Sequence, residues 1–379
     1  MTCPKSMEFG PCGGVGADGS CEVGDFRCTF LGLPLPRWTS GGPGATGAGG
    51  SHPAAAAPRR SAVPGGACGD LCPARPRAGT AAAELLDVVA ERPLVVSMLP
   101  AAPLDARSIA ECAAPLRGHV DAVLAGDAAT SRLQFPPAYR ARLIQDEGLR
   151  VWAGVNCRDR NRVALEAELA ALAHAGVAAV HCVTGDHPLS GGRPDALPVF
   201  DLDSTRLVAL AAEYGLLASV AESPTAPPVD LRAERVGEKA EAGASFAMLQ
   251  YCGGAAQVAA FAADCPIPVL PGVPMIVDHE GAALLRSFAA AVLPEGYTET
   301  ILASSDPLAA GVDVAIRHGR ELLGVPGIAG VVVAGGVAAG AEPAFAEALA
   351  EVGRALMIHA SAAVRSVGDR SAPEGWIGG

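Results

Sequence analysis

Residues 151–188 read VWAGVNCRDRNRVALEAELAALAHAGVAAVHCVTGDHP. The stretch opens on a short apolar run, VWAGV, passes into an Ala- and Leu-rich segment over 161–175, and closes on a second run, VAAVHCV. Two short apolar runs joined by a helical crossover predict a βαβ unit with parallel strands. Neither run alternates strictly between apolar and polar residues, which is the pattern of a strand buried on both faces.

The same alternation continues on both sides. LVVSM (94–98) and VDAVLAG (120–126) precede the unit; LLASVA (216–221), SFAMLQ (245–250), PVLPG (268–272) and GIAGVVVAG (327–335) follow it. Helical patterns fall near 105–116, 137–147, 161–175, 203–214, 231–242, 254–263, 279–292 with 307–322, and 343–357. Eight repeats predict a (β/α)8 TIM barrel over 81–365, with its chemistry at the carboxyl ends of the strands. An open doubly wound sheet is the alternative, but no G-x-G-x-x-G follows the first run.

Composition narrows the function. Half of the chain is hydrophobic and 18% charged, enough apolar surface for a sizeable core. The 40 acidic against 28 basic residues give a net charge of -12, the wrong sign for a nucleic-acid partner. No membrane-spanning helix is expected, and MTCPKSMEFG has no apolar signal core, so a soluble cytoplasmic protein is expected. The 11 cysteines are an odd number in a long chain, which fits reduced thiols or a metal site better than a disulfide framework.

Four of those cysteines, Cys3, Cys12, Cys21 and Cys28, lie at nearly regular intervals among glycines 10, 13, 14, 16 and 19. Turns at the glycines can gather four thiolates, a donor set suited to tetrahedral zinc, so residues 1–38 are expected to form a small Cys-rich, zinc-binding module. An iron-sulfur cluster uses the same ligands, and four unrelated free cysteines are the plain alternative. Residues 39–80 are Gly, Ala, Pro and Ser with little to bury and read as a flexible linker; Cys68 and Cys72 within it read as incidental. Residues 366–379 read as a tail.

Three barrel segments carry candidate chemistry. After the fourth run stands Thr184-Gly185-Asp186-His187-Pro188, a carboxylate beside a glycine at a strand end; capping of the next segment is the plain alternative for Asp186. After the third comes Asn156-Cys157-Arg158-Asp159-Arg160-Asn161-Arg162, where three guanidinium groups can meet an anion or simply form salt bridges. The sixth run ends in Gln250-Tyr251-Cys252, with Lys239 on the preceding helix. The Gln250 amide offers both a donor and an acceptor, which suits a heterocycle such as a pterin. His181 and His187 read as packing or polar residues rather than metal ligands.

Together, CRDRNR, TGDHP, VFDLDSTRL, EKAEAGASFAMLQ and VLPGVPMI resemble the methylenetetrahydrofolate reductase barrel, especially its bacterial branch, from about 94 to 275. CPKSMEFGPCGG with DGSCEV resembles the cysteine-rich module associated with these reductases. The resemblance implies a barrel that binds a tetrahydrofolate and FAD. It places Asp186 near the pterin and flavin, Gln250 on the folate, and Thr184, Gly185 and Lys239 on the flavin. The family's reaction is hydride transfer from reduced flavin to 5,10-methylenetetrahydrofolate.

One departure bears on that reaction. The family's first strand carries a glutamate that helps protonate the folate nitrogen; by motif the equivalent stretch is Val95-Val96-Ser97-Met98-Leu99-Pro100, with Leu99 in the glutamate's place. Loss of a general acid costs ~10²- to 10⁴-fold in rate. Glu222, after the fifth run, and His187 are then the candidate acid-base groups beside Asp186. The expected function is a diverged methylenetetrahydrofolate reductase-like enzyme. Two alternatives are non-reducing transfer of the folate-borne one-carbon unit to a second small-molecule acceptor, and a non-catalytic folate-binding or partner protein. Homo-oligomerisation is compatible with each.

Overall fold

A computed structural model describes residues 3–39, 79–127, 133–190 and 193–367. The expected linker, with Cys68 and Cys72, lies almost wholly outside the described residues, as does most of the expected tail. The amino-terminal segment carries one antiparallel hairpin, β1 (Ser20–Cys21) and β2 (Gly24–Arg27). Beyond it, β3 (Leu94–Met98), β4 (Ala122–Ala125), β5 (Val151–Asn156), β6 (Ala179–Val183), β7 (Ala218–Glu222), β8 (Phe246–Leu249), β9 (Val269–Met275) and β10 (Gly330–Gly335) form a closed parallel barrel. β10 pairs with β3, and all eight strands coincide with the eight apolar runs.

Side-chain alternation along these strands separates two packing layers. Leu94 and Val96, Ala122, Trp152, Ala179, Phe246 and Met248, Leu270 and Val332 fill the barrel's inside. Val95, Val123, Val151 with Ala153 and Val155, Val180 with Cys182, Val220, Leu249, Val273 and Val333 belong to the outer layer, under the helices. Period two makes this division rigid, since a one-residue slip would exchange the layers.

Most crossover helices start where the sequence supplies a cap. Asn161 accepts from Ala164 N at the start of α4 (Arg162–Ala175), and Asp203 accepts from Thr205 N and Arg206 N at the start of α5 (Ser204–Glu213). Gly176 ends α4 in the left-handed conformation. The remaining helices are α2 (Ala106–Ala113), α3 (Pro137–Asp146), α6 (Arg232–Glu241), α7 (Ala255–Asp264), α8 (His279–Ser287), α9 (Tyr297–Leu302), α10 (Pro307–Leu323) and α11 (Glu342–Val367). The helix expected over 279–292 stops at Ser287 because Val292 is drawn into backbone pairing with Tyr251 and Gly253.

Two helices were not expected from the sequence: α9, only 6 residues long, and α1 (Ala81–Glu91), which precedes the first barrel strand. Leu85 of α1 is fully buried against the inside layer, so this helix closes the amino end of the barrel. No helix among the described residues is long and apolar enough to cross a membrane. Leu85→Ala is expected to destabilise the barrel by ~2–5 kcal/mol, because the cavity would open where the backbone cannot collapse. Urea unfolding monitored by circular dichroism checks this value.

Candidate functional site

The inside layer is packed at the amino end and opens at the carboxyl end. Continuing the alternation, the positions reached there are Met98, Gly154 and Asn156, His181 and Val183, Ala221, Gln250, Gly272 and Ala334. Ala221 is exposed, and Met98, Gly154, His181, Val183, Gln250, Gly272 and Ala334 are half-buried, so a well opens above Trp152 and Val332. Gly154 is required there: a Cβ would stand 2.7 Å from the Gly126 Cα at the end of β4.

The sequence candidates divide between this well and its walls. Gln250 ends β8 on the well side, its Oε1 accepting from Tyr251 N at 3.2 Å. Asp186 is exposed on the rim, beside Lys5 of the amino-terminal segment. The Lys5 ammonium is buried, which works against its charge; Cys12, Glu22 and Asp186 outweigh that burial and hold it above the ordinary lysine range.

Glu222 does not reach the well. It follows Ala221 by one residue and points to the outer layer, where Arg232, Arg235 and Lys239 approach its carboxylate at 3.0, 2.7 and 3.0 Å. All four side chains are buried. Burial alone would raise the Glu222 pKa, but Lys239, Arg235 and Arg232 hold it well below the usual carboxylate range. A carboxylate so firmly ionised is a structural anchor and not an acid-base catalyst. Lys239 is likewise consumed, donating to Ala221 O at 2.6 Å as well as to Glu222. Burial and the neighbouring Arg235 push its pKa down to about 8 despite Glu222.

His187 is also occupied. Its ring is buried and stacks on Phe200, its Nδ1 accepts from Leu189 N at 3.2 Å, and its backbone N donates to Glu22 at 2.9 Å. Thr184 Oγ1 accepts from Ser204 N at 3.0 Å, and Gly185 (φ +87°) is pressed against Asn156 and Arg158. The Thr184 hydroxyl and the Lys239 ammonium are thus committed to protein contacts, Lys239 on the helix side of β7. Two of the three arginines are paired with carboxylates. Arg158 pairs with Asp127 and Asp159, whereas Arg162 pairs with Glu166 one turn along α4.

Leu99 needs a correction of register. It packs in the outer layer and is only 3% exposed, while Met98 is the residue of β3 that faces the well. Met98 Sδ lies 3.1 Å from Gly335 N. Neither side chain can transfer a proton, and β3 holds no titratable group.

The four amino-terminal cysteines converge. Cys3, Cys12, Cys21 and Cys28 line one cavity of ≈ 20 Å³ with Lys5, Phe26 and Phe30. Burial pushes the Cys3, Cys21 and Cys28 thiols up, and each is raised further by neighbouring cysteines. Even so, no three His, Cys, Asp or Glu side chains among the described residues are arranged to hold a metal ion. Four sulfurs around one small cavity match zinc in donor chemistry, though not in coordination geometry.

This segment is seated on the carboxyl rim. Glu8 N and Phe9 N donate to Asp203, Glu8 pairs with Arg206 at 2.5 Å, and Arg232 donates to Cys12 O at 3.2 Å. Glu22 joins Lys5, at 2.5 Å, to the backbone of His187.

Sequence reasoning passed over two groups in the well. Asn156 is buried at the end of β5, and its Nδ2 donates to Asp127. His181 stands at the well's floor with Nδ1 2.8 Å from Ser219 Oγ, which accepts from Trp152 Nε1 at 2.9 Å. The signal was the strand alternation: Trp152, Gly154 and Asn156 share a face, as do Ala179, His181 and Val183.

No family model matches the sequence, and no curated protein matches it. Among solved structures, the chain is similar to an uncharacterized protein from Clostridium thermocellum that binds two copies of 5-methyl-5,6,7,8-tetrahydrofolic acid. The TM-score is 0.53 at 11% identity, covering 73% of this chain and 98% of that one. It is also similar to 2,3-dimethylmalate lyase, a PEP mutase/isocitrate lyase superfamily member, with TM-score 0.43, 14% identity and coverage of 79% and 89%. At these identities the likeness is one of fold.

His181 provides a pH test of the site's interior. Burial, and then Lys239, push its pKa down from 6.5 to about 4. Between those values the unfolded chain binds a proton that the folded chain does not, so this group makes stability fall as pH drops from 6.5 towards 4. Denaturation midpoints measured across that range should show a shallower decline for His181→Gln than for the wild type.

Proposed function

We propose that the carboxyl-end well binds a tetrahydrofolate and that the chain acts in one-carbon chemistry with weak or no reduction of 5,10-methylenetetrahydrofolate. The observation that carries the reading is the arrangement of the rim. The TGDHP turn and Gln250 end β6 and β8 on either side of β7, whose exposed Ala221 leaves the space between them open. The motif resemblance and the 5-methyltetrahydrofolate bound by the similar Clostridium thermocellum protein support a folate as the occupant. Gln250 would present its amide to the pterin, and Asp186 would meet the ligand at the rim.

Reduction is weakened by where the carboxylates stand, with Glu222 turned to the helices and only Asp186 left at the rim. Reduction needs the folate ring to open with a proton at the departing nitrogen, and neither β3 nor the anchored Glu222 supplies one. Transfer to a nucleophilic second substrate passes through the same opened ring, so Asp186 at the rim or solvent would supply that proton, and the nucleophile rather than a hydride would close on the iminium carbon. The expected results are folate binding weakened by about 1–3 kcal/mol in Asp186→Ala and Gln250→Ala, measured by calorimetry. Methyltetrahydrofolate formation with NAD(P)H or reduced flavin should be weak in the wild type and gain in Met98→Glu, the substitution that faces the well. Ordinary turnover by the wild type would make the protein a plain reductase.

The cysteine cavity is proposed to take one zinc ion, with Lys5 offsetting part of the thiolate charge. Bound there, zinc would supply folding free energy to a segment too small for a core of its own. Metal analysis should return about one equivalent, and Cys12→Ser should make the first 38 residues more sensitive to limited proteolysis. Less than about half an equivalent, with four freely titrating thiols, is the contrary result.

A further inference from the structure

We propose that Asn156 and His181 form a donor–acceptor pair that reads the lactam edge of a heterocycle, an N–H beside a C=O, at the floor of the well. The inference deepens the folate reading and rests on it for the heterocycle's identity.

β5 and β6 are neighbours, in register Gly154↔His181 and Asn156↔Val183. Asn156 and His181 are therefore diagonal neighbours on the inside face, close enough for both side chains to meet one small ring. The Asn156 amide cannot turn freely. Its Nδ2 donates to Asp127 Oδ2, and that carboxylate is held in turn by Arg158 at 2.9 Å. Rotation would set Oδ1 against the carboxylate, so the Asn156 acceptor faces away from Asp127. Oδ1 is buried and has no hydrogen-bond partner among the described residues. Buried acceptors are rarely left unpaired, and a ligand N–H would satisfy this one.

His181 supplies the complementary donor. Trp152 Nε1 gives its proton to Ser219 Oγ, so the Ser219 hydroxyl proton is free for another acceptor. Ser219 Oγ can donate to Val180 O at 3.4 Å or to His181 Nδ1 at 2.8 Å, and the proton is assigned to the shorter contact. A neutral ring accepting at Nδ1 carries its proton on Nε2. Gly154, its register partner on β5, has no side chain to cover the ring, and His181 is half-buried at the open end of the inside layer. The floor thus offers an acceptor and a donor side by side, the complement of a lactam. Ser219 and Trp152 are positioning residues that fix the tautomer.

The test uses the full-length protein and three probes in calorimetry: 5-methyltetrahydrofolate, a tetrahydropterin lacking the glutamyl tail, and a 2,4-diaminopteridine, in which the lactam is replaced by a ring nitrogen acceptor beside an amine donor. Both lactam probes should bind, each about tenfold more weakly in Asn156→Ala and His181→Leu, with His181→Gln, which keeps a donor, close to wild type. The diaminopteridine should bind at least about tenfold more weakly than the pterin to the wild type, a comparison that needs no variant to fold, and Asn156→Ala should narrow the gap. Unchanged affinity in both deletion variants, with folate still weakened by Gln250→Ala, would overturn the pair and leave the folate site standing. Pterin binding that depends on the pair, without binding of 5-methyltetrahydrofolate, would keep the pair and overturn the folate reading. No binding of any probe would overturn both.

Discussion

The placement of the amino-terminal segment and of β7 depends on one buried ion cluster. Glu222 faces Arg232, Arg235 and Lys239 with all four side chains withdrawn from water. Such a cluster is tolerated only when every member is hydrogen-bonded, because an unpaired charge in that environment costs several kcal/mol. Here Arg232 spends its other donors on Ala226 O, Pro227 O and Cys12 O, and Lys239 spends one on Ala221 O. The same guanidinium therefore fixes α6 to the strand and the strand's following turn to the cysteine segment. Neutralising Glu222 would strand three cations at once, so its role is mechanical in spite of its position at an active-end strand terminus.

That role follows from a parity that the sequence contains but that motif comparison ignores. Ala221 and Glu222 are adjacent, and only one of two adjacent strand residues can face the inside of a barrel. The inside layer takes Ser219 and Ala221, so Glu222 must face the helices. The same parity separates Met98 from Leu99 on β3. Aligning a motif by its proline selects Leu99; counting outward from the buried inside residues Leu94 and Val96 selects Met98. The eight strands were readable because each apolar run is short, continuous and followed by a helix-period segment. α1 was missed because it precedes the first apolar run and so lies outside that alternation, although its AAAELLDVVAE sequence begins where the linker composition ends.

The site was readable to a similar, uneven degree. Gln250 is singled out by its type and its place after an apolar run, and the structure leaves it half-buried on the well side. Lys239 and His187 could not be assigned from sequence, because what decides them is the neighbour that consumes them: Glu222 for the lysine, Phe200 and Leu189 for the histidine. Asn156 and His181 were visible as letters in the same segments. The role proposed for them depends on contacts across strands, to Asp127 and to Ser219, separated by 29 and 38 residues respectively.

The cysteine segment and the well are physically joined through Glu22. Its carboxylate touches Lys5, which lines the cysteine cavity, and the backbone of His187, which belongs to the rim turn. The contact needs Gly14, where a Cβ would fall 1.6 Å from Glu22 Oε2, and the docking needs Gly13, whose Cβ would meet Ser223 Oγ at 2.6 Å. The glycines between Cys12 and Cys21 therefore do more than allow turns among thiols. They let a carboxylate and a strand-end loop come close enough for the segment to sit on the barrel's open end, so that any ligand entering between Asp186 and Gln250 meets a rim already braced from one side by the amino-terminal chain.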